Sequence, residues 1–242
     1  MDKDKKNQLT AVFWSIILIS PLIILWNIHP KIEINPFLLA YLSFLVALLI
    51  FFIVDLFKRP NFVITLGAIN ESEEGSYRFL HVNIINLDWP FWFFLFRKGN
   101  AVNTTAEIVF KEKDFNKTIL SVQGRWSSNP EPIKRDSTNK YLLFDEDKAR
   151  QGGLITISPS RHTKELREGK LGIAVKVANE NLCYGFSDNS YNSPNFPGKD
   201  SWKLQRGIYD IDVIVRSGRF SKKENFVLEN LGSSLQDFIL RN

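Results

Sequence analysis

At 242 residues, with 31 Lys and Arg against 26 Asp and Glu and a net charge of +5, the chain is long enough for one or two domains and only mildly basic. Its charges are mixed along the sequence, without the concentrated basic stripe of a nucleic-acid binder, so no nucleic-acid polymer is expected as a partner. The single cysteine, Cys183, excludes an intramolecular disulfide and suits a reducing compartment.

Residues 1–8 form a polar head with Lys3, Lys5 and Lys6, and from Leu9 to Ile28 the chain runs twenty residues without a charge. A second uncharged run of eighteen residues spans Phe37 to Val54. About twenty apolar helical residues cross a hydrocarbon core of roughly 30 Å, so residues 9–57 are expected to form a transmembrane helical hairpin. A cleaved signal peptide fits less well, because the first run is long, lacks a small-x-small cleavage site and is followed eight residues later by the second. The eight-residue connection "HPKIEINP" carries only Lys31, whereas Lys58 and Arg59 follow the second span. The positive-inside rule therefore places both termini in the cytoplasm, with residues 58–242 as a cytosolic domain of an integral protein of the cell membrane. Glycosylation sequons at Asn103 and Asn116 then have no role.

Beyond Pro60 the hydrophobic period becomes two. Strands are expected at 62–69, 78–85, 103–111, 118–126, 154–158, 171–178, 209–217 and 223–230, the clearest alternating Tyr209, Ile211, Val213 and Val215 with Asp210, Asp212 and Arg216. Short strands without intervening helical periods predict an antiparallel β-sandwich, Ig-like, or a small β-barrel. Near the end, "SSLQDFILRN" has Ser233 three residues before Gln236, a capping-box spacing that predicts a short helix.

If 62–69 and 78–85 pair as a hairpin around the acidic turn "NESEEGS", Leu87 returns to the level of Phe62, a few residues from the second span. The next segment, "DWPFWFFLFRKG", is thereby delivered to the bilayer surface. With eight apolar residues it is too short to span, and Pro90 and large side chains on both faces disqualify it as a core strand. Trp89, Phe91, Trp92, Phe93, Phe94 and Phe96 are expected at the headgroup level, with Arg97 and Lys98 on lipid phosphate.

Long connections at 126–153 and 183–206 exceed the usual loop length and are candidate functional segments. Within them, "GRWSSNPEP" and "CYGFSDNSY" combine aromatic and hydrogen-bonding side chains, which marks Arg125, Trp126, Glu131, Tyr184, Asp188, Asn189, Tyr191 and Trp202 as candidate ligand or partner residues. A purely structural reading pairs Arg125 with Glu131 and has Trp126 and Trp202 cover one end of the sandwich.

No catalytic constellation emerges, so no enzyme, no cofactor and no metal is expected. His29, His81 and His162 are far apart and Cys183 has no neighbour at ligand spacing. Neither Gly169-Lys170 nor Gly198-Lys199 belongs to a P-loop. Ser137-Thr138-Asn139-Lys140 fits S-x-x-K but lacks its partner motifs, and Asp145, Glu146 and Asp147 are expected on a solvated face.

The segments "LHVNIINLDWPFWFF", "AVNTTAEIVF", "GRWSSNPEP", "CYGFSDNSYNSP" and "SWKLQRGIYDIDVIV" together resemble an uncharacterised family of archaeal and bacterial proteins. The resemblance covers roughly residues 60 to 230. It implies a β-sandwich attached to two membrane helices, and no activity comes with it. The layout is also similar, in arrangement only, to short membrane effectors of prokaryotic cyclic-nucleotide defence systems.

Two functions follow. One is a non-enzymatic membrane-anchored module for protein interaction or sensing, with the bilayer and a protein, or a second copy, as partners. The other is a ligand-gated membrane effector whose β-domain binds a small anionic, nucleotide-like signal through Arg125, Arg161, Arg206 and Arg216.

Overall fold

Alternation in "YDIDVIVRS" turns Tyr209, Ile211, Val213 and Val215 into the core, and the same period organises most of the chain after Arg59. The computed structural model describes residues 36–72, 75–90, 98–113, 115, 117–135, 142–160, 169–188 and 202–242. The first expected span, the segment Phe91 to Arg97, Arg161, the S-x-x-K tetrapeptide, Asn189 and Tyr191 lie outside the described residues.

Helix α1 runs Pro36–Lys58, opening on a proline whose missing N–H costs nothing there. Its 23 residues give about 34 Å of length at 1.5 Å per residue. Among the described residues it is the one helix long and apolar enough to cross a membrane, and Phe44, Leu49, Phe51 and Phe52 are all exposed on it. It forms one compact unit, and the β-structure from Arg59 onward forms another.

The strands are β1 Phe62–Leu66, β2 Asn70–Glu71, β3 Tyr77–Leu87, β4 Ala101–Glu112, β5 Thr118–Gln123, β6 Arg125–Trp126, β7 Ile133–Arg135, β8 Leu142–Phe144, β9 Ile155–Ile157, β10 Pro159–Ser160, β11 Lys170–Val177, β12 Cys183–Gly185, β13 Lys203–Leu204, β14 Gly207–Ser217, β15 Phe220–Asn230 and β16 Phe238–Arg241. They build a sandwich-like pair of mostly antiparallel sheets. Sheet I has the order β1-β3-β11-β12-β13, with β2 and β10 on β3 and β6 on β11. Sheet II has the order β16-β15-β14-β4-β5, with β9 on β4.

Leu80, Val82, Ile84, Leu171 and Ile173 of sheet I and Ile108, Phe110, Ile211, Val213 and Phe226 of sheet II belong to one buried cluster. A polar stitch joins the layers as well. Lys176 on β11 is fully buried, and its Nζ donates to Asn230 Oδ1 at 2.5 Å and to the Gly232 carbonyl at 2.6 Å. Burial holds its pKa below the usual lysine value.

Three expectations need correction. The strand expected over 118–126 breaks at Gly124, so β5 pairs in sheet II while β6 pairs in sheet I. The expected C-terminal helix is a single 3-10 turn, Leu235–Asp237, capped by Ser234 and not Ser233. Phe238 and Leu240 then alternate inward on β16, which pairs with β15, because edge pairing and core burial outweigh the local capping signal. The connections at 126–153 and 183–206 are also partly regular: the first holds the β7–β8 hairpin and helix α2, Glu146–Gly152, and the second holds β12 and β13. The acidic trio has a local role in α2, where Asp145 caps the helix by accepting from Lys148 N at 3.2 Å and Glu146 and Asp147 occupy its first turn.

Candidate functional site

The crossing at Gly124 decides where the "GRW" residues point. On β6, Arg125 lies opposite Gly172 and Trp126 opposite Leu171, so the two side chains face opposite sides of sheet I. Trp126 enters the core, fully buried, and its Nε1 donates to the Gly153 carbonyl at 3.2 Å. It is a core residue and not a cover for the end of the sandwich.

Arg125 goes to the outer side, where β12 delivers "FSD". Phe186 N donates to the Ile173 carbonyl at 3.0 Å, which extends the strand pairing past Gly185 and sets Asp188 near β6. Arg125 Nε lies 2.8 Å from Asp188 Oδ1, with both side chains buried. The expected Arg125–Glu131 pair does not form, and Glu131 is exposed. The remaining guanidinium nitrogens serve carbonyls: Nη1 donates to Trp126 O at 3.3 Å and Nη2 to Asn129 O at 3.0 Å. Asn129 Nδ2 in turn donates to Gly152 O at 2.6 Å. At Gly152 a Cβ would stand 2.2 Å from Asp188 Oδ2, so only glycine lets the end of α2 close on the pair.

Around the pair, the outer side of sheet I carries a second buried apolar cluster, Val175, Tyr184 and Phe186, with Tyr77, Phe79, Val177 and Leu182 packed against it. Phe79 and Phe186 meet edge to face at 5.5 Å, and the Arg125 guanidinium lies 6.0 Å from the Phe186 ring centre. Tyr184 is anchored by donating from its hydroxyl to Glu180 Oε2 at 2.9 Å. Trp202 is half-buried and packs on the main core.

Burial dominates the electrostatics here. It pushes the Asp188 carboxyl up to about 6, against the opposing pull of Arg125. It also depresses His81, on the same side of β3, to about 4, helped by the charge of Lys170. Cys183, facing the core, is pushed up to about 12 by burial and is not a nucleophile at neutral pH.

The structure thus brings Arg125 and Asp188 together, places Tyr184 in the outer cluster with Phe186, and sends Trp126, Glu131 and Trp202 elsewhere. Sequence reading missed Asn129, Gly152 and Phe186, which complete the junction. Phe186 had a signal, since it lies inside the quoted "CYGFSD", but the meeting of Gly152 with Asp188 is a long-range contact that no local pattern encodes. Among the described residues no cluster of His, Cys, Asp and Glu has a metal-binding arrangement.

A second locus is the neck of the aromatic segment. β1 pairs with β3 in the register Phe62 to Asn86, and Leu87 N donates to the Asn61 carbonyl at 2.8 Å. Asp88 then closes the neck, its Oδ1 accepting from Trp89 N and Lys98 N, each at 2.9 Å. Lys98 Nζ stands 4.1 Å above the Trp89 ring, and burial lowers its pKa against the raising effect of Asp88.

Comparison with known proteins returns no matching family model, no matching curated protein and no matching solved structure.

Proposed function

We propose that the chain is a non-enzymatic, membrane-anchored module whose cytosolic β-domain presents its long loops to a protein partner. The observation that carries this reading is the Arg125–Asp188 junction. One buried ion pair, with Asn129 and Gly152, ties together the roots of the 126–153 and 183–206 connections. Loops held by a rigid scaffold at their roots are the usual vehicle of recognition.

Anchoring is supported by the length and apolar surface of α1, and a cytosolic location by the Lys and Arg distribution around the two spans. The neck of the aromatic segment is bonded to Asn61, which follows Lys58 by three residues in the sequence. This supports an interfacial place for residues 89–98. The family resemblance points to the same layout.

The effector reading draws less support. Arg125 is committed to Asp188 and two carbonyls, and Arg216 Nη1 donates to Glu107 Oε2 at 2.7 Å. Arg206 and Arg216 flank the two ends of β14, about 30 Å apart along an extended strand, so these two do not converge on one anion.

The test is thermal unfolding of the detergent-solubilised full chain against a panel of mono-, di- and cyclic nucleotides, beside native purification from membranes. A ligand at a hundred times its Kd stabilises by about 2.7 kcal/mol, a readily measured shift. The expected result is no shift with any nucleotide and recovery in a discrete protein complex. A reproducible nucleotide-dependent rise in Tm, with the chain recovered alone, would replace this reading by the effector.

A further inference from the structure

The end of the sandwich that carries the aromatic neck also carries a hairpin tip. Ser217 and Phe220 are register partners, so β14 and β15 are joined by the two residues Gly218 and Arg219. Gly218 has φ +55, and only glycine takes that conformation without strain at the first position of such a tight turn. The turn projects Arg219 and Phe220 at the rim. The Arg219 guanidinium lies 5.2 Å from the Phe220 ring centre, and the Arg59 guanidinium lies 5.6 Å from the same ring.

These residues are continuous with the neck. Asn61, two residues from Arg59, binds Asn86 and Leu87 on β3 through its backbone N–H and carbonyl. Asn86 Nδ2 donates to the Gly99 carbonyl at 2.8 Å, and Ser217 Oγ donates to the Val102 carbonyl at 2.9 Å. A closed circuit of contacts therefore links Arg59, the 86–89 segment, the 98–102 segment and the 217–220 turn on one end of the β-domain.

The charge of this rim is one-sided. Arg59, Lys98 and Arg219 are cations, while the one carboxylate among its described residues, Asp88, is buried and accepts the two neck N–H groups. Apolar groups alternate with the cations: Trp89 beneath Lys98, Phe220 between two guanidinium groups, and Val102, more than half exposed. Aromatic side chains flanked by Arg and Lys match the headgroup layer, where rings are half-buried and cations meet phosphate. Arg59 directly follows Lys58, the last residue of the membrane-length helix.

We propose that this rim, formed by Arg59, Trp89, Lys98, Val102, Arg219 and Phe220, is a docking surface for the anionic phosphodiester headgroups of the bilayer. It rests on the reading of α1 as a membrane anchor, and extends it by adding the 217–220 turn as a second, independent contact beside the aromatic segment. Arg219 is exposed, and Arg59 and Lys98 are half-buried. A cation at the surface contributes about a fivefold preference for an anionic over a neutral surface, so the β-domain is held against anionic lipid and released from neutral lipid or at high salt.

The experiment uses the full chain in nanodiscs of phosphatidylcholine, with or without phosphatidylglycerol. A nitroxide is placed at Asn100→Cys on the rim, at Gln236→Cys near the opposite end, or at Leu45→Cys in α1. Cys183 is buried and stays unlabelled. The expected result is that the label at 100 loses collisions with a water-soluble nickel chelate only when phosphatidylglycerol is present, while the label at 236 stays accessible in both. Arg219→Ser should shift the docked fraction back about fivefold, and Arg219→Lys should retain it. Equal accessibility at 100 in both lipids, with the label at 45 shielded, overturns the docking surface and leaves the anchor standing. An accessible label at 45 overturns both. Shielding at 100 that ignores lipid charge but disappears on dilution of copies within the disc assigns the rim to a second copy of the chain, and also overturns the proposal.

Discussion

The outer sides of the two sheets are built on opposite plans. Sheet II turns a ladder of charges outward: Arg216 with Glu107 at 2.7 Å, Lys111 and Lys223 each 2.8 Å from Asp212, and Arg241 with Glu229 at 3.2 Å. Sheet I turns Phe79, Val175, Tyr184 and Phe186 outward and buries an ion pair among them. One side is largely water-facing, with Arg216, Lys223 and Arg241 about half exposed. The other is a second small core, where the roots of both long connections meet.

If that contrast is right, the largest effect should come from breaking the buried pair on one side only. Arg125→Leu leaves Asp188 buried without its counter-charge, and should cost about 3–5 kcal/mol in denaturant unfolding near neutral pH. The loss should shrink at pH 5, where the stranded carboxyl takes up a proton. Arg125→Leu combined with Asp188→Leu should recover most of the stability, because a matched apolar pair has no stranded charge. Next in size, Phe186→Ala should cost about 3 kcal/mol as a core truncation does, although by topology it lies outside the main core. A loss under about 0.5 kcal/mol would mean that the outer side of sheet I is an ordinary surface.

A subtler contrast lies in pH dependence. Asp188, raised to about 6, contributes stability that is fully present below its unfolded value near 4 and is lost as pH rises through 6. His81, depressed to about 4, contributes stability present above 6.5 and lost as pH falls through 4. The two slopes oppose each other between pH 4 and 6.5, so the native chain should show a shallow profile there. Asp188→Asn should unmask His81 and steepen acid destabilisation, and His81→Gln should leave stability falling as pH rises. Smallest of all, Arg216→Ala on sheet II should cost about 0.2–1 kcal/mol, since the Arg216 side chain is 49% exposed and that of Glu107 36%.

The same contrast explains what was legible in the sequence. β14 alternates cleanly and was readable because one of its sides meets water; "KLGIAVKV" on β11 does not alternate, because both of its sides are buried, yet its apolar run still marked a strand. Matched strand lengths put Leu87 level with Phe62, but the strands are unequal, five residues in β1 against eleven in β3. The register is one residue off, with Asn86 opposite Phe62 and Leu87 bonded to Asn61. Tertiary partners did not follow. Glu131 was the local choice for Arg125, six residues away, and Asp188 won because the β11–β12 pairing brings it to a buried position where an uncompensated guanidinium would be far more costly. The C-terminal strand was hidden by a capping signal read at Ser233, one residue before the actual cap Ser234, which serves only one turn. The second role of the rim was hidden too, because Arg59, Lys98 and Arg219 come from three distant segments that meet only in the fold.

The most direct test of the central claim is site-specific photo-crosslinking of the full chain in native membranes, comparing Glu131→benzoylphenylalanine, in the connection rooted at the junction, with Lys223→benzoylphenylalanine on the charge ladder. The account predicts a discrete protein adduct from position 131, lost in the Arg125→Leu background, and none from position 223. An adduct from 223 with none from 131 would contradict it.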